Sequence, residues 1–206
     1  MRPAVNPGTS LPMGKARWIA AAAAGTAAVA AAAYYLNERN NEKPDYDLLI
    51  DEGRFALRAY PAMLVAETVQ DGQRETAFGN GFRVLADYIF ARSRPGKKIA
   101  MTSPVLSSRA DEGWRTRFVM PSKLGKADLP EPAPGVTLSE EPGRKMAAIR
   151  FSGNADDAAL AENEAVLREW MAANSLEPAG DVEYAFYNSP FIPGPMRRNE
   201  VLIPTA

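Results

Sequence analysis

Hydrophobic and polar positions alternate in short stretches along most of this chain and change to a helical period in two longer ones. Asp47–Asp51, Arg54–Tyr60 and Ala62–Gln70 read as extended segments punctuated by Gly53 and Pro61. In the second of them Phe55, Leu57 and Ala59 alternate with Arg58, the pattern of a half-buried strand. The period then shifts. Phe78, Phe82, Leu85 and Ile89 fall at i, i+4, i+7 and i+11, which predicts a helix from about Arg74 to Ala91, ended by Arg94-Pro95-Gly96. Ile99, Met101, Ser103 and Val105 alternate again, and Trp114–Met120 reads as a hairpin partner. Pro130, Pro132 and Pro134 stiffen a surface connection.

The order then repeats. Val136–Glu140 and Lys145–Ser152 read as strands. Asn154 is the expected N-cap of a second helix, with Asp156 and Asp157 in its first turn and Leu160, Leu167 and Met171 as its stripe. Val182–Tyr187 and Glu200–Ile203 read as the last strands. This succession predicts an α+β domain of two pseudo-symmetric halves. Its mostly antiparallel sheet is expected to curl into a distorted barrel with two helices packed outside.

The first part of the chain has a different character. Trp18–Leu36 holds 19 residues without a charge, enough to span roughly 28 Å as a helix. Arg2, Lys15 and Arg17 precede it, so residues 1–17 are expected in the cytoplasm, 18–36 as a transmembrane anchor, and the domain on the far side. A cleaved signal peptide, releasing a periplasmic or secreted domain, and an alanine-rich soluble helix are the alternatives. Residues 37–44 read as a polar linker to the domain at 45–206.

Composition narrows the chemistry. The 206 residues include no cysteine and no histidine, which removes disulfides, thiolate nucleophiles, Ser-His-Asp catalysis and histidine-bound metals. Residues 45–206 carry 19 Lys and Arg against 23 Asp and Glu, near −4, so nucleic-acid binding is not expected. Carboxylate catalysis, binding of apolar or planar small molecules, and interaction with a partner remain.

Four motifs carry more specific information. Lys98-Ile99 with Met101-Thr102-Ser103-Pro104-Val105, Phe118-Val119-Met120-Pro121, Tyr187-Asn188-Ser189-Pro190 and Arg198-Asn199-Glu200-Val201 resemble the SOUL haem-binding protein family in order and separation. The resemblance runs from about Tyr46 to Ile203 and includes Arg58-Ala59-Tyr60. It implies a barrel of two pseudo-symmetric halves and non-catalytic binding of haem or another porphyrin for transport, buffering or storage. Without histidine, any iron would be bare or held by Tyr, Met or Lys.

The family's groove lies between the first helix and the loop before the last strand. Here that corresponds to Phe78, Phe82, Arg83 and Leu85 on the helix, and to Phe191, Met196 and Arg197 on the loop. Arg83, Arg197 and Arg198 are the cations nearest to where propionates would lie. Apolar burial at roughly 25 cal/mol per Å² supports micromolar affinity over a few hundred Å² without a metal bond. Met63, Met101, Met120 and Met196 are thioethers that could ligate iron or fill the core. Gly79 and Gly81 either flatten the helix for a macrocycle, pack it closely on the sheet, or mark a later helix start.

Two other functional classes stand beside this one. The broad fold also resembles effector-binding domains of the gyrase-inhibitor type, which implies an acidic pocket group meeting amphiphilic cations. Glu67 and Glu183, on strands, are the carboxylates expected to face an interior. A hydrolase using either as base is the third reading.

Overall fold

The computed structural model describes residues 38, 40–92 and 94–206, and the basic segment 1–17 and apolar segment 18–36 lie outside them. Among the described residues no helix is long and apolar enough to cross a membrane. Residues 41–206 form one compact unit.

Nine strands make one antiparallel sheet. They are β1 (Asp47–Glu52), β2 (Phe55–Tyr60), β3 (Met63–Gln70), β4 (Val105–Arg109), β5 (Trp114–Val119), β6 (Thr137–Glu141), β7 (Arg144–Phe151), β8 (Glu183–Phe186) and β9 (Asn199–Thr205). Their order is β1-β2-β7-β9-β8-β4-β5-β3-β6. Two helices, α1 (Arg74–Ile89) and α2 (Asp157–Ala173), cover one face.

The expected repeat is present, with an exchange. The first half places its strands in the order β3-β5-β4 and the second in the order β7-β9-β8, meeting at the β4–β8 pair. The strand that precedes each of these trios in sequence pairs with the other half: β2 lies on β7, and β6 lies on β3. The two crossing corners, Pro61-Ala62 and Pro142-Gly143, meet. A Cβ on Gly143 would stand 3.2 Å from the Tyr60 carbonyl oxygen and 3.4 Å from the Ala62 nitrogen, so only glycine allows this approach without displacement.

The sheet curls but does not close, which corrects the expected barrel. Its edge strands β1 and β6 are not paired to each other. Asp47, Asp51 and Glu52 lie on one edge and Glu140 and Glu141 on the other, so closure would bring like charges together. Curling is nevertheless strong: Tyr60 of β2 and Met63 of β3, second and eighth in the order, line the same internal cavity.

Both faces are therefore buried. On the helix side, Leu85, Tyr88 and Ile89 pack on Ala66, Val105 and Phe118, and Leu160, Leu167, Trp170 and Met171 pack on Leu57, Ile149, Val201 and Ile203. On the other side Val65, Leu106, Val119, Met146, Ala148, Ala185 and Leu202 form a separate cluster.

Three local expectations change. The second helix is capped by Asp156, whose carboxylate accepts the Ala159 N–H at 2.9 Å, and not by Asn154. The extended reading of Ile99–Val105 shrinks to a strand beginning at Val105, because Pro104 has no N–H for a ladder. Arg58, read as the wet face of β2, is buried at 6% exposure.

Candidate functional site

Arg74 opens α1 and joins the N-termini of the two helices. Its guanidinium pairs with Asp157 and donates to the Ala155 carbonyl oxygen at 3.1 Å. This contact fixes where the next turns of α1 lie on the sheet. Phe78 packs its ring 4.7 Å from that of Phe186, the last residue of β8. One turn on, Phe82 stands edge-on to Phe118 at 5.4 Å and remains 36% exposed. Between them, Gly81 faces the sheet: a Cβ there would meet Thr116 Oγ1 at 2.5 Å. Gly79 has nothing within 4 Å of such an atom, so α1 presents a bare surface at that point. With the helix starting at Arg74, the later start is excluded.

Leu85, on the same side of the helix as Phe78, is fully buried in the core beneath α1. Arg83 is on the exposed side and donates to Asn80 Oδ1 at 2.7 Å.

The loop between β8 and β9 begins beside the Phe78–Phe186 contact and is pinned from within. Arg197 donates to the carbonyl oxygens of Ile192 at 2.6 Å and Pro190 at 2.7 Å, and to Asn154 Oδ1 at 3.2 Å. Gly153 N–H donates to the Gly194 carbonyl oxygen at 3.0 Å. Ile192 is sunk at 3% exposure, while Phe191 is 84% exposed and Met196 48%. The restrained loop thus holds the Phe191 ring out in water. Of the methionines considered as ligands, Met120 is buried, Met63 and Met101 are half-buried, and Met196 is exposed. Arg83 and Arg197 thus differ: the first makes one local contact, and the second is occupied by the loop.

The opposite face of the sheet holds an ionic network that the alternation pattern does not reveal. Glu200 is wholly buried between Arg58 at 2.7 Å and Arg198 at 2.7 Å, and it accepts the Tyr187 hydroxyl at 2.8 Å. Burial opposes its ionisation, but the hydrogen bonds and charge of Arg58, then of Arg198, hold the carboxyl below its ordinary range. Tyr187 is pushed well above the usual tyrosine value by burial and by the Glu200 charge. Beside it, Glu183 accepts from Arg117 at 3.0 Å and from Arg144 at 2.7 and 3.0 Å, and Arg117 also pairs with Glu141 at 3.0 Å. Glu183 does face the interior, but two guanidiniums neutralise it, leaving no bare carboxylate there for an incoming cation. Glu67, on the same face, lies 3.6 Å from Arg115. A signal for the Glu200 network was available in Arg198-Asn199-Glu200, whose spacing of two puts both charges on one side of a strand.

The internal cavity beside these groups is about 70 Å³, room for a few waters and far below the roughly 300 Å³ of a small ligand pocket. A macrocycle does not fit there. On the helix side of the sheet, Phe82 and Phe191 are the exposed aromatic rings among those considered.

Comparison with known proteins agrees with this architecture. Residues 41–204 match the family described as SOUL heme-binding protein. No curated protein matches the chain. Among solved structures, the C-terminal domain of EcmrR is similar at TM-score 0.54 and 13% identity, covering 78% of this chain and 98% of that one. A hydrolase from Listeria innocua is similar at TM-score 0.53 and 11% identity, covering 77% and 94%. An uncharacterized conserved protein from Listeria innocua gives TM-score 0.52 at 10% identity, covering 81% and 93%. At such identities the likeness shows the fold alone.

Proposed function

The chain belongs to the SOUL haem-binding protein family, and from that premise we propose that it binds haem or a related tetrapyrrole without catalysing a reaction on it. The ring lies between α1 and the loop before β9, held by apolar contact and without a histidine ligand. The observation that carries this reading is Phe191, 84% exposed on a loop that Arg197 holds in place. An ordered aromatic ring in water is a ready face for a flat conjugated ligand.

The residues on that side fit the group. Phe78 and Phe82 offer ring surface, Gly79 leaves space, and Met196 offers an exposed thioether as the available soft ligand. Arg83 is the cation placed to meet a propionate, whereas Arg197 serves by fixing the loop. Leu85 contributes from below, as the core residue on which α1 rests. Bound haem would supply an iron centre for transport, buffering or storage. Residues 18–36 are assigned as the membrane anchor, with the domain on the extracytoplasmic side. Recovery of a soluble mature chain beginning near Tyr34 would instead identify them as a cleaved signal.

Titration of the full-length chain with hemin, followed by the Soret band, tests the site. Saturable one-to-one binding is expected, weakened at least about tenfold by Phe82→Glu or Phe191→Glu, since each puts a charge against an apolar ring. Equal binding by the wild type and both variants would overturn the assignment.

A further inference from the structure

The inner face of the sheet carries more positive charge than its own carboxylates balance. Arg117 and Arg144 are matched by Glu141 and Glu183. Arg58 and Arg198, in contrast, share the single carboxylate of Glu200. Arg58 is the more deeply buried of the two, so the surplus charge falls at Arg198, whose side chain is 34% exposed. Arg198 lines the internal cavity of about 70 Å³. Arg144 lines it too, and its Nε is buried without a hydrogen-bond partner among the described residues. A surplus guanidinium and an unanswered N–H beside one space are the conditions under which an anion is bound with gain.

Of the remaining wall, Met63, Leu106, Val119, Met146 and Leu202 are apolar, Lys43, Tyr46, Tyr60 and Tyr187 are polar, and the one carboxylate, Glu183, is already taken by Arg117 and Arg144. Across the mouth runs a strap, residues 41–46. It is attached by the Ser103 N–H donating to the Glu42 carbonyl oxygen at 2.9 Å and by the Ser122 N–H donating to Glu42 Oε1 at 2.6 Å. Tyr46 completes the attachment, its ring 4.8 Å from the Arg58 guanidinium and 5.2 Å from the Tyr60 ring. On its other side the strap borders a second cavity of about 330 Å³. Lys43, Pro44, Met63 and Val119 line both spaces and form the partition between them.

We propose that the inner face is a second ligand site, taking an amphipathic monocarboxylate, with the strap at 41–46 as its lid. The carboxylate meets Arg198 and Arg144, and the apolar tail runs past Met63 and Val119 into the outer cavity. With the strap lifted, the joined space is on the order of 400 Å³, within the range of small-molecule sites. A carboxylate suits the planar fork of arginine better than a spherical anion does, and the apolar part of the wall, Met63, Leu106, Val119, Met146 and Leu202, suits a tail. The site contains none of Phe78, Phe82, Arg83, Phe191, Met196 and Arg197, and it claims Arg198, which the sequence had offered to the propionates, for the inner face.

Decanoate titrated into the full-length chain by calorimetry tests this. One-to-one binding is expected, reduced at least about tenfold in Arg198→Gln through loss of a charge-assisted contact. Glu42→Gln, which weakens the Ser122 bond to the strap, is expected to bind decanoate more tightly. Decyltrimethylammonium, with the same tail and the opposite charge, is expected not to bind. Where Arg198→Gln fails to fold by circular dichroism, Met63→Trp reads the same site by filling the partition, and it too must lose decanoate. Absence of saturable binding, equal binding of the cationic analogue, or unchanged affinity in the folded variants overturns the proposal. Hemin added to decanoate-saturated protein separates the two sites: undiminished hemin binding is expected, and mutual displacement overturns the second site while leaving haem binding standing.

Discussion

Arg117 on β5 and Glu200 on β9 occupy equivalent positions in the two halves and carry opposite charges. Arg117 faces Leu106 and Glu200 faces Ala185, and Leu106 and Ala185 pair across the central β4–β8 contact. Each reaches the strand exchanged from the other half, Arg117 to Glu141 on β6 at 3.0 Å and Glu200 to Arg58 on β2 at 2.7 Å. The same ion pair is thus built twice, with donor and acceptor interchanged. It ties each exchanged strand to the half that receives it.

This arrangement makes removal of the two partners unequal. Glu200→Gln leaves Arg58 buried without a countercharge and is expected to cost about 3–5 kcal/mol. Arg58→Met leaves Glu200 with Arg198 and Tyr187 still bonded to it, and is expected to cost clearly less. Urea denaturation of the two variants checks the order. Equal losses would mean that Arg198 and Tyr187 contribute nothing to holding the carboxylate.

The two glycines of α1 are expected to respond oppositely to alanine. At Gly79 the added methyl meets open space, so only the helix propensity gain acts, about 1 kcal/mol of stabilisation. At Gly81 it would stand 2.5 Å from Thr116 Oγ1 and 2.9 Å from Thr116 Cβ. Threonine is stiff at χ1, so α1 must lift from β5, and a net loss is expected from an overpacking cost of about 1–3 kcal/mol. Thermal melts of the two variants give the signs directly.

Stability and ligand binding are separable along the same helix and loop. Leu85→Ala removes a fully buried side chain and is expected to destabilise by about 2–5 kcal/mol. Phe191→Ala removes one that is 84% exposed and is expected to leave stability within about 0.5 kcal/mol. Hemin affinity should move the other way, falling for Phe191→Ala and holding for folded Leu85→Ala. Parallel urea and Soret titrations of both variants read this crossing.

The helix stripe was legible because Phe78, Phe82, Leu85 and Ile89 recur at a helical period, although periodicity could not say that Leu85 points to the core and Phe82 to the rim. The strands were legible as strands, yet alternation assigns residues to faces and not neighbours to strands. The exchange of β2 and β6 therefore had no local signature. Arg58 misled for a related reason. A charge between apolar residues reads as a wet face, whereas here helices cover one side and the curled sheet covers the other, and the partner Glu200 is 142 residues away. On the loop, the sequence located Phe191, Met196 and Arg197 together. Which donors of Arg197 the loop's own carbonyls take is a tertiary property, invisible in composition or spacing.

The buried tyrosines make the fold sensitive to base. Burial and the Glu164 charge push Tyr184 up to about 12 from an ordinary 10.0, and burial and the Glu200 charge push Tyr187 well above it too. A group whose value is raised by folding keeps its proton longer in the native state, so its contribution is complete below the unfolded value and is lost above it. Stability is therefore expected to hold up to about pH 10 and to fall steadily beyond it as the unfolded chain ionises first. Glu200 has the opposite sign: held below 4.5, it favours the fold above that value and ceases to do so as acid protonates it. Urea midpoints measured between about pH 9 and 12 test the alkaline limb. Tyr187→Phe should start from a lower plateau, since Glu200 loses a hydrogen bond, and should decline less steeply with pH. A variant whose decline parallels the wild type would assign the alkaline loss to groups other than Tyr187.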